Sequence, residues 1–369
     1  MFDPIKASKE IKDSYIDYIT TTFDMADTDY EREFRKELQT DGTVASGPFL
    51  DIGGSYETGH TLRELIQAQK ASVLFESLEP VAEKERELKL DRPLYQHQEA
   101  AMLKAGKGEN LVVTTGTGSG KTESFLLPII DHLLREQEAG TLSAGVRAII
   151  IYPMNALAND QMKRMRALFK NYPQICYGVY NGNTEHTQSK ALAEYHRTYH
   201  DEAGEPIDPA PNEIISREVM QEKPPHILIT NYSMLEYMML RPKDDAVFSG
   251  AKLKFIVLDE AHIYKGATGM ETSLLMRRLR ARISEPDSVQ YILTSATLGG
   301  PDADGDILSF AEKLCGVAFQ RSGIIRSTEK RPAMEDFLDF APALFEELQR
   351  SPDISSVLAR YHADFAPGG

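Results

Sequence analysis

Residues 111–130 read LVVTTGTGSGKTESFLLPII: a short apolar run, a glycine-rich turn and an apolar helical pattern. Strand, turn and helix in that order are the setting a phosphate-binding loop requires. Gly116, Gly118 and Gly120 allow a tight turn that aims main-chain amides at phosphate oxygens, and the next helix presents its positive N-terminal end. Lys121 is placed to hold β- and γ-phosphates, and the hydroxyl of Thr122 to help coordinate Mg2+. The expected binding segment for ATP and magnesium is therefore Thr115, Gly116, Thr117, Gly118, Ser119, Gly120, Lys121, Thr122 and Glu123. Thr115 stands where the widest form of the motif has glycine, so a small-residue variant is expected.

Outward from this stretch, apolar runs recur between helical patterns: VRAIIIY from 146, ICYGVY from 175, HILIT from 226, LKFIVLD ending at Asp259, and YILTS from 291. Such runs suit strands buried on both faces, and their alternation with helices implies a parallel sheet with ligand sites at the carboxyl ends of its strands. The run LKFIVLDEAHIY delivers Asp259 and Glu260 to that edge. Asp259 would bind magnesium, usually through water, and Glu260 would act as general base on the attacking water.

Taken together, Thr115 to Thr122, Asp259 to His262 and Ser295-Ala296-Thr297 resemble motifs I, II and III of superfamily 2 DEAH-box helicases. The match runs from about residue 91 to 300 and implies an α/β, RecA-like P-loop NTPase lobe with helices flanking a parallel sheet. RPLYQHQEAAM resembles the Q motif, which implies that Gln98 reads the adenine edge. YPMNALANDQ resembles motif Ia and TNYSMLEY motif Ib, which implies that Pro153, Asn155, Ala156, Thr230 and Asn231 face the sugar-phosphate backbone of a strand. By the same resemblance His262, Ser295 and Thr297 couple the γ-phosphate state to strand contacts. The wording of these blocks is similar to bacterial helicases of the mitomycin-repair type and to the large helicases of DISARM and Druantia anti-phage systems. That branch implies an ATP-driven translocase, with DNA favoured over RNA as the track.

Motifs IV to VI of a second RecA-like lobe do not follow within the sequence, so that lobe is expected elsewhere in a parent chain or in a partner chain. An arginine finger of that lobe can contribute about 10³ to 10⁵ in rate, so slow hydrolysis by this chain alone is expected. Rival readings are a duplex-DNA translocase of restriction type and a nucleotide-binding switch or scaffold in a defence complex. A transporter ATPase would need an LSGGQ-type signature before the acidic strand, and the sequence has none.

Residues 1–90 are expected to be an accessory segment, mostly helical, with Ile11, Tyr15, Tyr18 and Ile19 as its apolar positions; residues 301–369 are expected to be a helical extension. The charged, proline-containing stretch 183–222 is expected to bulge from the sheet. His196 and His200 within it could share a helix face as metal ligands, but no third ligand accompanies them and a solvated face is the better reading. Cys176 and Cys315 lack paired spacing, which argues against a disulfide framework or a cysteine-based zinc site. The start has no secretory pattern and no apolar run is long enough for a membrane span, so a cytoplasmic address is expected. With 41 basic against 56 acidic residues the formal charge is -15, which argues against nucleic-acid binding by nonspecific attraction alone.

Overall fold

The computed structural model describes residues 4–23, 27–40, 42–46, 55–78, 88–116, 118–170, 172–201, 204–249, 251–297, 299 and 301–330. It divides into two compact units, Met1–Ser55 and Tyr56–Gly369. In the first unit, helix Pro4–Thr22 is followed by helix Thr28–Gln39, whose N-terminus is capped by the Asp27 carboxylate. The inward stripe of the first helix is Ile16 and Thr20, one turn apart and both buried. Ile11, Tyr15 and Tyr18, expected as the apolar face, are more than half exposed. Spacing alone did not reveal which stripe packs, because tyrosine serves on either face.

Among its described residues the second unit holds ten strands: β1 Thr58–Thr61, β2 Pro93–Tyr95, β3 Leu111–Thr114, β4 Ala148–Ile151, β5 Tyr177–Tyr180, β6 Glu213–Ile214, β7 Ile227–Thr230, β8 Phe255–Leu258, β9 Gln290–Ser295 and β10 Ile324–Arg326. Strands β3 to β10 form one sheet in the order β10-β3-β9-β8-β4-β7-β5-β6, with every neighbouring pair parallel. Its strands are apolar on both faces because both are covered. Val113, Ile150, Ile229 and Val257 point into one core with Phe125 and Ile129 of helix Lys121–Glu138. Val112, Ile149, Leu228 and Ile256 point into the other with Leu275 and Leu279 of helix Gly266–Arg282. The six strands read as apolar runs are all present. β6 and β10 were missed because two or three residues carry no legible period.

Two expected boundaries are corrected. A cut at residue 90 would separate β1 from its antiparallel partner β2 and remove Leu62, Leu65 and Phe75 from the core they share with Phe125. Residues 301–330 are not merely a helical extension: helix Asp304–Cys315 packs into the second core and β10 pairs with β3. Gly323 permits this, since a Cβ there would lie 2.2 Å from the carbonyl oxygen of Asn110. Residues 331–369, with the expected helices ALFEELQR and SSVLARYHADF, lie outside the described residues.

The stretch 183–222 does not simply bulge. It forms helix Gln188–Thr198, β6 and helix Arg217–Glu222, and returns to pair on the sheet edge beside β5. His196 pairs with Asp208 and His200 forms a bridge with Pro206; no metal-binding cluster occurs among the described residues. Among those residues no helix is long and apolar enough to cross a membrane.

At the opposite edge of the strands, His226 accepts the Cys176 N–H at Nδ1 (3.0 Å) and lies with Nε2 3.2 Å from the Ser143 carbonyl oxygen, so it sits as the neutral tautomer. Burial, reinforced by Arg147, depresses its pKa below the ordinary 6.5. As pH falls below that value the unfolded chain takes the proton first, so stability is full above it and declines beneath it. The urea midpoint is therefore expected to be lower at pH 5.5 than at pH 7.5, and His226→Gln to shrink the difference; an unchanged difference would remove this histidine from the account.

Candidate active site

The parallel register sets the ends of five strands level. Thr114 pairs with Ser295, Leu258 with Leu293, and Ile151 with both Leu258 and Thr230. The loops after β3, β8, β9, β4 and β7 therefore share one edge, and motifs I, II, III, Ia and Ib lie on it.

After β3 the chain turns through Gly118 (φ +75°) and Gly120 (φ +74°), both in the left-handed region where glycine is at ease. Two latches shape the turn from inside. Ser119 Oγ donates to Thr115 Oγ1 (2.7 Å), and the Thr115 N–H donates to the Ser295 carbonyl (3.2 Å). Both side chains are buried, so they form the loop and leave phosphate contacts to its main chain. Thr117 lies outside the described residues. Thr122 follows Lys121 in the first turn of helix Lys121–Glu138, half-buried.

Lys121 and Glu260 meet across the edge: Nζ lies 3.0 Å from Oε1. Glu260 is held at φ +48°, ψ +49°, a conformation that costs a non-glycine residue roughly 1–2 kcal/mol. Its N–H donates to Thr294 Oγ1 (3.3 Å), and the same hydroxyl donates to Asp259 Oδ1. Burial holds the Asp259 carboxyl above its ordinary range, and the Glu260 charge adds to this while the Thr294 bond opposes it. Two buried hydroxyls near Asp259, those of Tyr152 and Tyr264, have no partner. A half-buried carboxylate held above its ordinary range fits a divalent cation, which would take Asp259 and Thr122 with water in the remaining positions.

The expected coupling residues come together. His262 Nδ1 lies 3.1 Å from Ser295 Oγ and 3.3 Å from Glu260 Oε2, and the Thr297 N–H donates to Ser295 Oγ (3.2 Å). At the strand-facing residues the result is mixed. Asn231 Nδ2 donates to Asn155 Oδ1 (2.8 Å), joining motifs Ia and Ib, and Pro153 is half-buried beside them. Thr230 is corrected: it is buried and its hydroxyl donates to the Tyr180 carbonyl (2.7 Å), so it braces β5 against β7. Ala156 is the second residue of helix Asn155–Phe169.

Gln98 is placed differently from the adenine-reading expectation. Its Oε1 accepts the Tyr95 N–H (3.0 Å) and its Nε2 donates to the Gly120 carbonyl (3.1 Å), so reading a purine would require it to exchange these partners. Glu123 pairs with Arg164 on helix Asn155–Phe169, its other carboxylate oxygen lying beside Gly120. Sequence reasoning missed His97, whose Nε2 lies 2.9 Å from the Ser119 carbonyl, and Tyr56, whose hydroxyl lies over Gly116. His97 sits inside the Q-motif block and could have been suspected there. Tyr56, far upstream, gave no signal. The rings of Tyr56, Tyr95 and His97 pack together with centroids 5.5 to 5.8 Å apart.

Comparison with known proteins agrees with this geometry. The family model described as DEAD/DEAH box helicase matches residues 95–203 and 204–304. The Druantia protein DruE of Escherichia coli (strain UMEA 4076-1) is 33% identical over 88% of this chain and 22% of its own length. ATP-dependent helicase HRQ1 of Saccharomyces cerevisiae is 30% identical over 56% of this chain and 16% of its own length. The chain thus spans less than a quarter of these relatives. Among solved structures, DUF1998 helicase MrfA bound to DNA has a TM-score of 0.50 at 23% identity, covering 74% of this chain and 31% of that one.

Two substitutions test the site. Gly120→Ala places a Cβ 2.3 Å from Gln98 Nε2 at a left-handed φ, so ATP affinity is expected to fall with the fold intact by circular dichroism. Asp259→Asn removes a partly desolvated charge: the thermal midpoint without Mg2+ should hold or rise, while the further rise on adding Mg2+ and ATP should vanish. A midpoint that drops without ligand would show that the carboxylate is compensated by the protein itself.

Proposed function

Since the chain belongs to the DEAD/DEAH box helicase family, we propose that it is the ATP-binding, RecA-like motor lobe of an ATP-dependent DNA translocase or helicase, serving anti-phage defence or DNA repair. The single observation that supports this reading is the Lys121–Glu260 contact, 3.0 Å from Nζ to Oε1, in which the proposed phosphate-holding lysine meets the proposed base.

In this reading Lys121 and the loop amides hold the triphosphate, Thr122 and Asp259 hold Mg2+, and Glu260 serves the attacking water. Bound magnesium would supply charge neutralisation for the β- and γ-phosphate oxygens. ATP recruits Lys121 to its phosphates and so frees Glu260. As water oxygen bonds to the γ-phosphorus, Glu260 receives the water's proton and the bond from that phosphorus to the β–γ bridging oxygen breaks, leaving ADP and phosphate. His262, within reach of both Glu260 and Ser295, would relay the change to the loop after β9. The joined amides of Asn155 and Asn231 would take strand phosphates without reading bases. Full turnover would need an arginine from a second RecA-like lobe, in a parent chain or a partner chain.

Lys121→Ala is expected to weaken binding of a fluorescent ATP analogue by about tenfold to a hundredfold, the scale of a lost charged hydrogen bond. Glu260→Gln should leave that binding in place while cutting ATP hydrolysis by about 10² to 10⁴ in the lobe joined to its second half. Binding indifferent to Lys121, or turnover indifferent to Glu260, would overturn the reading. Strand displacement on forked DNA then separates a helicase from a duplex translocase.

A further inference from the structure

Beside the proposed strand-facing amides the molecule has a second recess that the ATP chemistry does not use. Along helix Asn155–Phe169, Asn155, Asn159, Met162 and Arg166 recur at intervals of four, three and four residues, which places them on one face. The first of these joins Asn231; the other three line a cavity of about 180 Å³ between this helix, the end of β5 and helix Gln188–Thr198. Asn159 of its lining is therefore one helical turn, about 5.4 Å along the axis, from the Asn155 amide assigned to the strand.

Its floor is aromatic, the rings of Tyr195 and Tyr199 lying 4.5 Å apart between centroids and tilted 43° to each other, and the Arg166 guanidinium beside them is paired. Arg166 makes two hydrogen bonds to Glu213, at 2.8 and 2.6 Å, and its guanidinium lies 4.2 Å from the ring centroid of Tyr199 and 5.3 Å from that of Tyr195. Tyr195 also donates to Glu213 (3.2 Å). The one cation of the lining is thus committed to a carboxylate, and Glu185 and Glu194 stand among the other lining residues. Such a recess repels phosphate. The amides of Asn159, Asn181 and Asn183 stand around it, with Asn181 Oδ1 already accepting the Asn183 N–H (2.9 Å). The recess exists because the returning stretch 183–222 docks tightly: a Cβ at Gly178 would lie 2.6 Å from the Ile214 carbonyl oxygen.

We propose that this cavity receives an unstacked nucleobase of the bound single strand, its face against the Tyr195–Tyr199–Arg166 surface and its polar edge toward the asparagine amides. Neutral, flat and rimmed with donors and acceptors, a base matches the recess where a phosphate does not. This rests on the reading that motifs Ia and Ib face nucleic acid.

The test uses the whole chain with Mg2+, a non-hydrolysable ATP analogue and a single-stranded DNA oligomer of about twelve nucleotides, a length within the range such sites cover. The thymidines are replaced by 5-iododeoxyuridine, which crosslinks to aromatic side chains under long-wave ultraviolet light. The expected result is an adduct on Tyr195 or Tyr199, with strand affinity on the order of tenfold weaker in Tyr199→Ala and retained in Tyr199→Phe. Lys121-dependent ATP binding reports that each variant is folded, and Asn183→Ala, on the exposed rim, gives a second arm expected to weaken the strand severalfold. Adducts only elsewhere, or an affinity indifferent to both Tyr199→Ala and Asn183→Ala, overturns the base pocket and leaves the motor reading standing. If the oligomer does not bind while ATP does, the strand-facing reading fails and the pocket falls with it.

Discussion

Parallel strand pairing is the constraint on which the rest of this structure depends. Each strand must return to the same end of the sheet before the next begins, so both faces are covered by crossovers and every carboxyl end lies on one edge. The β3-β9-β8-β4-β7 order then brings the phosphate loop beside the Ser295 loop and the acidic motif beside motif Ia, although these segments are up to about 180 residues apart in the chain. No side chain has to be steered individually over that distance. The register of the backbone hydrogen bonds does it, and the pairing of Thr114 with Ser295 is what lets the Thr115 amide bond the Ser295 carbonyl.

Within that frame the site is balanced against itself. Lys121 and Glu260 satisfy each other, Thr294 serves Asp259 and the Glu260 amide at once, and His262 stands between Glu260 and Ser295. A ligand that takes Lys121 therefore disturbs a connected set of contacts. The left-handed conformation of Glu260 fits this arrangement: a residue whose backbone already costs energy is kept there by its surroundings and responds when they change. The loop itself is gripped from behind by His97 on the Ser119 carbonyl and Gln98 on the Gly120 carbonyl, so the Q-motif block acts here as scaffold for the phosphate loop.

What the sequence disclosed follows a physical line. Fully buried strands announce themselves, because a run such as FIVL from Phe255 to Leu258 has no other stable use beside helical patterns. Motif residues were legible because glycine, lysine and paired carboxylates at fixed spacing serve few purposes together. The direction of a side chain was not legible. Thr230 turns inward because β5 lies beside β7, and Glu123 turns to Arg164 because helix Asn155–Phe169 passes there; both neighbours are set by tertiary packing. Tyr56 reaches Gly116 only because residues near 328 pair with Tyr56 and Glu57 and hold them beside β2, a relation between distant segments that no local pattern records.

The acidic balance of the chain is compatible with the proposed nucleic-acid role. The basic stretch Met276 to Ser284 suggests a phosphate-binding stripe, yet its arginines are committed: Arg277 to the Ser273 and Lys313 carbonyls, Arg278 to Glu236, Arg280 to Asp287 and the Gly316 carbonyl, Arg282 to Asp245 and the Met239 carbonyl. They tie helix Gly266–Arg282 to its neighbours. A motor that must release its track on every cycle gains nothing from a strong, permanent electrostatic hold, whose strength would also vary steeply with salt. Amide dipoles, helix N-termini and a recess shaped for a base give weaker, shorter-range contacts that a small shift of one loop can make or break. That is the kind of grip the proposed motor lobe could control if ATP draws Lys121 away from Glu260.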